Sequence, residues 1–187
     1  MDIQYYTKAL VLDRRLCGEQ DAYIELFTEK LGRVIARARS VHARKSKLSG
    51  HLQPLHFIKI RITPRASGSG FVVIDSILDD AFVPSETRRR SDLSMFVKTV
   101  ALYAPEMERD DQLWFLIQEV FSTPAQSSNI LCAHAQLLSL VGFDPQHAVC
   151  GVCASHHVGG FVLSHGLLSC PSCLIPFPSH DVLYFTA

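Results

Sequence analysis

Hydrophobic and polar positions alternate with the period of a β-strand through the first part of the chain and change to a helical period beyond Pro84. Thr7–Asp13 is rich in β-formers, Gly18 marks a turn, and Ala22–Thr28 is a second run with Tyr23 and Ile24 beside Leu26 and Phe27. Lys30-Leu31-Gly32 then closes a hairpin, because Gly32 can take the left-handed conformation that a short loop demands. Arg33–Arg39 sets Val34, Ala36 and Ala38 on one face and Arg33, Ile35, Arg37 and Arg39 on the other, which is expected to be strongly positive. The polar, basic segment 40–50 reads as an exposed loop. Phe57–Ile62 alternates Ile58, Ile60 and Ile62 with Lys59 and Arg61, and a turn at Ser67–Gly70 leads into Phe71–Leu78. Five short strands with connections suited to antiparallel pairing predict a small β-barrel, and the OB type is the commonest five-stranded form.

The later segments are helical. Leu93, Phe96, Val97, Val100 and Tyr103 recur at helical spacing until Pro105. Asp110 and Asp111 suit the start of a second helix with Leu113, Trp114, Ile117, Val120 and Phe121 as its apolar face. Pro124 separates a third helix, which aligns Ile130, His134, Leu137, Leu138 and Val141 and stops at Gly142. The expected class is α+β: an OB-type five-stranded barrel over residues 1–80, then a helical domain over 81–187 carrying a four-cysteine zinc module at 148–175.

A chain of 187 residues that is 48% hydrophobic and 19% charged suffices for one good core or two small ones. The zero net charge hides a division, since residues 1–70 carry 13 Lys/Arg against 6 Asp/Glu and residues 71–187 carry 5 against 12. Halves of +7 and −7 point to a polyanionic partner for the first and a different task for the second. Leu10, Val11 and Leu12 are met at once by Asp13, Arg14 and Arg15, which is unlike a secretory leader. The apolar stretch Ile130–Phe143 contains His134, Gln136 and Ser139 and falls short of the roughly 20 residues of a membrane span. A cytoplasmic protein with no membrane partner is expected.

The most specific motif is Cys150-Gly-Val-Cys153 followed, after sixteen residues, by Cys170-Pro-Ser-Cys173. Two such knuckles can bring four thiolates to one tetrahedral ion, the geometry Zn²⁺ takes in structural sites. Gly151 and Pro171 suit the tight turns. A pair of disulfides and a redox dithiol are the alternatives, and iron in a four-cysteine site is a further one. His156, His157 and His165 lie between the knuckles and could replace a cysteine, although solvent-facing loop histidines are the plainer reading. Cys17 and Cys132 are expected to be small buried or partly buried residues. A zinc deaminase is a poor fit because no His is followed two positions later by Glu.

Between Arg33 and Lys47 stand Arg33, Arg37, Arg39, Arg44, Lys45 and Lys47 with no acidic residue among them. A solvated face usually mixes both signs, so a single-sign cluster favours nucleic acid. If all six met phosphates of a single strand, log K would fall with log salt at a slope of about −4. Tyr5, Tyr6, Tyr23, Phe27, Phe57 and Phe71 are the aromatics available for stacking, most of them expected in the core.

The run GEQDAYIELFTEKLGRVIARARSVHARKSKLSGHLQP, Gly18–Pro54, resembles the N-terminal domain of the RecO family of bacterial DNA repair and recombination proteins. LLSLVGFDP, Leu137–Pro145, followed by CGVC and CPSC, is similar to that family's helical domain and zinc module. The resemblance implies an OB-fold joined to a helical domain, binding single- and double-stranded DNA. It further implies annealing of complementary strands and assistance to RecA in loading onto DNA coated by single-strand-binding protein. RecR and the acidic C-terminal tail of that coating protein are the implied partners. The DNA role would fall on Arg33, Arg37, Arg39, Arg44, Lys45 and Lys47, and the metal role on Cys150, Cys153, Cys170 and Cys173. Family members usually continue with further helix after the second cysteine pair, whereas this sequence reaches Ala187 soon after Cys173.

No Gly-Lys-Ser/Thr phosphate loop, His-Glu-x-x-His or Gly-x-Ser-x-Gly elbow occurs, so an enzyme has little to rest on. The competing expectation is a zinc-stabilised protein–protein adapter in which the basic stretch is only a soluble face.

Overall fold

The computed structural model describes residues 3–41, 48–66, 68–79, 87–123 and 130–185. Ser67, Pro84 and Pro124, expected at turns and boundaries, lie outside the described residues. The chain divides into two compact units, Met1–Trp114 and Phe115–Ala187. The first therefore runs beyond residue 80, where the change of period suggested the barrel domain ends.

The first unit is built on β1 (Tyr5–Cys17), β2 (Asp21–Thr28), β3 (Gly32–Ala38), α1 (Leu48–His51), β4 (Phe57–Pro64) and β5 (Phe71–Leu78), followed by α2 (Thr87–Tyr103). The strands close into a barrel in the order β1-β2-β3-β5-β4, with β4 returning antiparallel to β1. One expectation is corrected here: the closing β3–β5 pair is parallel, at Ala36↔Phe71 and Arg37↔Val72. Alternation fills the interior with Ala9, Val11, Ile24, Leu26, Val34, Ala36, Ile58, Ile60, Ile62 and Val73, all buried. Strand β1 runs well past the expected Asp13, since Arg14–Cys17 pair with Asp21–Ile24 in a long hairpin. The segment 40–50, expected as loop throughout, ends in the short helix α1, and Val41 and Leu52 on either side are fully buried.

The outside of the barrel is apolar in one zone. Leu10 sits opposite both Phe27 and Phe57, and Trp114 covers the pair, its ring 6.3 Å from Phe27 and 5.9 Å from Phe57. This explains why Ala9–Leu12 is an unbroken apolar run, for that part of β1 is buried on both faces. Helix α2 buries the expected Leu93, Phe96, Val97 and Val100.

At the β2–β3 turn Gly32 has φ +66°, and a Cβ there would lie 1.8 Å from the Glu108 carbonyl oxygen. The Glu106–Glu108 stretch is laid against β3, with the Met107 amide donating to the Arg33 carbonyl at 2.9 Å.

Helix α3 (Asp111–Ser122) is capped by Asp110, whose carboxylate accepts from the Leu113 amide at 2.9 Å. The second unit contains α4 (Ile130–Leu140), β6 (Gly160–Val162), β7 (Leu167–Ser169), α5 (Pro171–Leu174) and β8 (Val182–Tyr184). Helix α4 ends as expected, with Gly142 at φ +93° and the Phe143 amide donating back to the Leu138 carbonyl at 2.8 Å. The antiparallel sheet β7-β6-β8 was not foreseen, because its strands are only three residues long. Its small core is Val162, Leu174 and Val182 with Leu167 and Phe177 against them. No described helix is long and apolar enough to cross a membrane.

Candidate nucleic-acid interface and metal centre

Each cysteine pair is turned by its own backbone. The Ala154 amide donates to the Cys150 carbonyl at 2.8 Å, with Ala154 itself at φ +58°, and the Cys173 amide donates to the Cys170 carbonyl at 3.0 Å. Pro171 opens α5, where its missing N–H costs nothing. The Gly151 amide donates to the Leu168 carbonyl at 2.9 Å, tying the first knuckle to the strand that leads into the second. Strands β6 and β7 thus fill the sixteen-residue spacing and bring the pairs together.

All four Sγ atoms lie within 4.8 Å of one another. Cys153 and Cys170 are 3.7 Å apart, far beyond the ~2.04 Å of a disulfide bond. A tetrahedral ion with sulfur at ~2.3 Å sets its ligands about 3.8 Å apart, so the donor set fits a metal of that geometry. Cys150 and Cys170 are buried, Cys173 is half-buried and Cys153 is exposed. The amides of Cys170 and then Cys153 pull the Cys150 thiol down to about 6, whereas hydrogen bonding to the Cys170 and Cys153 thiols pushes Cys173 up to about 12. Four crowded sulfurs do not all ionise unaided; a cation among them relieves that repulsion. His156, His157 and His165 are exposed, and none joins the ligand group; His165 instead pairs with the Ser164 hydroxyl and the Phe177 ring.

The outer side of β3 is not the uniformly positive face that alternation predicts. Strand β2 brings acids alongside, a neighbour that the single-strand count could not include. Arg33 donates to Glu25 through one terminal nitrogen and to the Ala104 carbonyl through Nε, both at 2.8 Å. Arg37 donates twice to one Asp21 oxygen, at 3.0 and 2.7 Å. The Ser40 amide, and then Arg37, hold the Asp21 carboxyl below the usual carboxylate range. Arg39 is exposed and has no ion-pair partner among the described residues. Arg44, Lys45 and Lys47 lie outside the described residues.

Residues 1–77 match a family model described as "Recombination protein O N terminal". Over 182 residues the chain is 26% identical to "DNA repair protein RecO" of Dehalococcoides mccartyi strain 195, covering 90% of this chain and 70% of that relative. The protein of the same name from Thermodesulfovibrio yellowstonii is 23% identical over 180 residues, covering 91% and 70%. That of Pasteurella multocida is 34% identical over 64 residues, covering 34% and 27%. The chain is thus similar along most of its length to proteins named DNA repair protein RecO, and its first 77 residues match the N-terminal model of that family.

Within the barrel the six candidate stacking residues are sorted by burial. Phe27, Phe57 and Phe71 are core, Tyr5 packs edge-on against Phe71, and Tyr23 is half-buried, leaving Tyr6 exposed. A cavity of about 700 Å³ opens in the same unit between the Asp13, Arg15 and Glu25 side of the barrel, His56, and the Arg90 and Lys98 side of α2. Sequence reasoning missed it because its wall is made where the Gln53–His56 turn meets a helix distant in the chain.

Proposed function

We propose that this protein is a recombination mediator that binds single- and double-stranded DNA, anneals complementary strands and assists RecA in loading onto DNA coated by single-strand-binding protein. The observation that carries the reading is a closed barrel, matching the RecO N-terminal model, whose strand β3 carries Arg37 and is followed in sequence by Arg39, Arg44, Lys45 and Lys47. Arg37 remains one-third exposed despite its ion pair, whereas Arg33 is more enclosed and serves the fold. Cations on one strand's phosphates leave its bases free and lower the repulsion that keeps a complementary strand away, so annealing needs no ATP. In this reading the family partners RecR and the acidic tail of single-strand-binding protein apply, and the protein works in the cytoplasm on the nucleoid.

Cys150, Cys153, Cys170 and Cys173 hold Zn²⁺ in this proposal. A closed four-sulfur site leaves no position for water or substrate, so the ion braces the second unit and the protein is not an enzyme. Purified protein should be colourless and carry one zinc equivalent by elemental analysis; a coloured, iron-loaded sample would defeat this assignment.

The test of function is ATP-free annealing of oligonucleotides coated with the cognate single-strand-binding protein. Wild type is compared with the Arg37/Arg39/Arg44/Lys45/Lys47→Ala variant. Acceleration by the wild type alone is expected, and no acceleration by folded, metal-loaded wild type sinks the reading. One observation favours an adapter instead: Val152 and Ile175, one at each knuckle, are 60% and 82% exposed. Under that alternative, reversing the charge of the same five residues leaves DNA binding unchanged or absent.

A further inference from the structure

The antiparallel register places two rows of side chains on the outer face of β1, β4 and β5. Tyr6 stands opposite Arg61, which stands opposite Asp75; in the next row Lys8 stands opposite Lys59, which stands opposite Ile77. Tyr6 is 59% and Ile77 63% exposed, and both lysines are exposed. OB-folds usually meet their ligands with the β2–β3 surface, and none of these residues lies on either of those strands.

Two features of this face are unexplained by folding. Like charges directly across a strand pair destabilise a sheet, yet neither Lys8 nor Lys59 has an ion-pair partner among the described residues. Asp75 is taken by Arg61, and Glu29, whose amide donates to the Lys8 carbonyl at 3.0 Å, makes no ion pair with it. Beside the lysines an aromatic ring is left in water. Arg61 covers one side of it, 5.9 Å from the ring centre, and the exposure of Tyr6 leaves the other side open. A polyanion relieves the lysine repulsion, and a base can stack on the open ring face, two requirements that a single-stranded nucleic acid meets together.

We infer that the β1–β4–β5 face is a second strand site, where a base stacks on Tyr6 while Lys8 and Lys59 neutralise phosphates. The inference rests on the DNA-binding function proposed above and adds to Arg37 and Arg39 of the β3 side a second group, Tyr6, Lys8 and Lys59, carried by β1 and β4. A protein with two such surfaces holds two strands at once, which is what annealing requires.

The experiment is fluorescence anisotropy of the full chain with a labelled oligothymidylate across a salt series. Its arms are wild type, Tyr6→Ala, Tyr6→Phe, Lys8→Ala/Lys59→Ala, and the five-residue basic variant, each checked for fold by circular dichroism. Tyr6→Ala is expected to weaken binding about five-fold or more, and Tyr6→Phe to preserve it, since the ring carries the stacking. Losing both lysines should reduce the salt slope by about 1.4. An oligonucleotide bearing 5-iodouracil should photocrosslink to Tyr6. Wild-type binding that is untouched by Tyr6→Ala and by the double lysine variant overturns the inference and leaves the proposed function standing. Unchanged DNA affinity together with lost binding to single-strand-binding protein overturns it in favour of a protein-docking face. Absence of any wild-type binding overturns both.

Discussion

Gly32→Ala tests whether the β2–β3 turn is fixed by the segment laid over it. The left-handed φ of +66° costs an alanine about 1–2 kcal/mol by itself. The new Cβ would also lie 1.8 Å from the Glu108 carbonyl oxygen and 2.5 Å from its carbon, so a backbone rather than a pliable side chain has to retreat. Retreat adds about 1–3 kcal/mol of overpacking strain and puts at risk the Met107-to-Arg33 hydrogen bond, worth about 1 kcal/mol. The total comes to about 3–6 kcal/mol. Gly18→Ala is the matched control: its φ is +72°, but nothing lies within 4 Å of the added carbon, so only the conformational cost applies. Trp114 is the chain's single tryptophan and packs on Phe27 and Phe57, so its fluorescence in urea reports the barrel unit. The Gly32→Ala midpoint should fall below that of Gly18→Ala by on the order of 1 M urea. Equal midpoints would show that residues 106–108 give way freely, and the reasoning from the close approach would be refuted.

Arg33→Ala leaves Glu25 and the Ala104 carbonyl without their shared donor and should cost about 1–3 kcal/mol in the same urea assay; a loss no greater than that of Arg39→Ala would count against the clamp. Asp21 has a depressed folded pKa, so its contribution to stability is complete above its unfolded value of about 3.9 and disappears as pH falls through the lower folded value. Asp21→Asn should therefore flatten the acid side of the stability profile, measured by thermal melts, and leave the slope near neutrality alone. Removing the proposed zinc ion with a strong chelator should raise amide exchange across residues 148–184 by mass spectrometry, and Cys170→Ser should abolish stoichiometric metal uptake. Exchange that ignores the chelator would mean the sulfurs do not depend on an ion.

The barrel was legible because each strand is a hydrophobic alternation whose phase the structure keeps, as in Val34, Ala36 and Ala38 or Ile58, Ile60 and Ile62. The four cysteines were legible because their spacing is local within each knuckle. What escaped was set by neighbours remote in sequence. Leu10 and Phe57 belong to strands yet point away from the barrel interior, because Trp114 arrives to cover them. Arg33 and Arg37 formed a positive run in one dimension and became members of ion pairs when β2 was laid beside them. The sheet β7-β6-β8 has strands too short for any periodicity to register. Tyr6 was one aromatic among six until burial separated it from the rest.

The unequal closure of the barrel has a mechanical meaning. Strands β1 and β4 are joined along six residue pairs, from Tyr5↔Ile62 to Leu10↔Phe57, whereas β3 and β5 are joined at two. The ring is thus a bound book, with β1–β4 as its spine and β3–β5 as the clasp on its fore-edge. Arg37 is itself a rung of that clasp, and Arg39 stands just past it. In the proposed DNA-binding mode, a strand held by those arginines would load the latch, so the ligand and the barrel's narrowest closure would share the same two rungs.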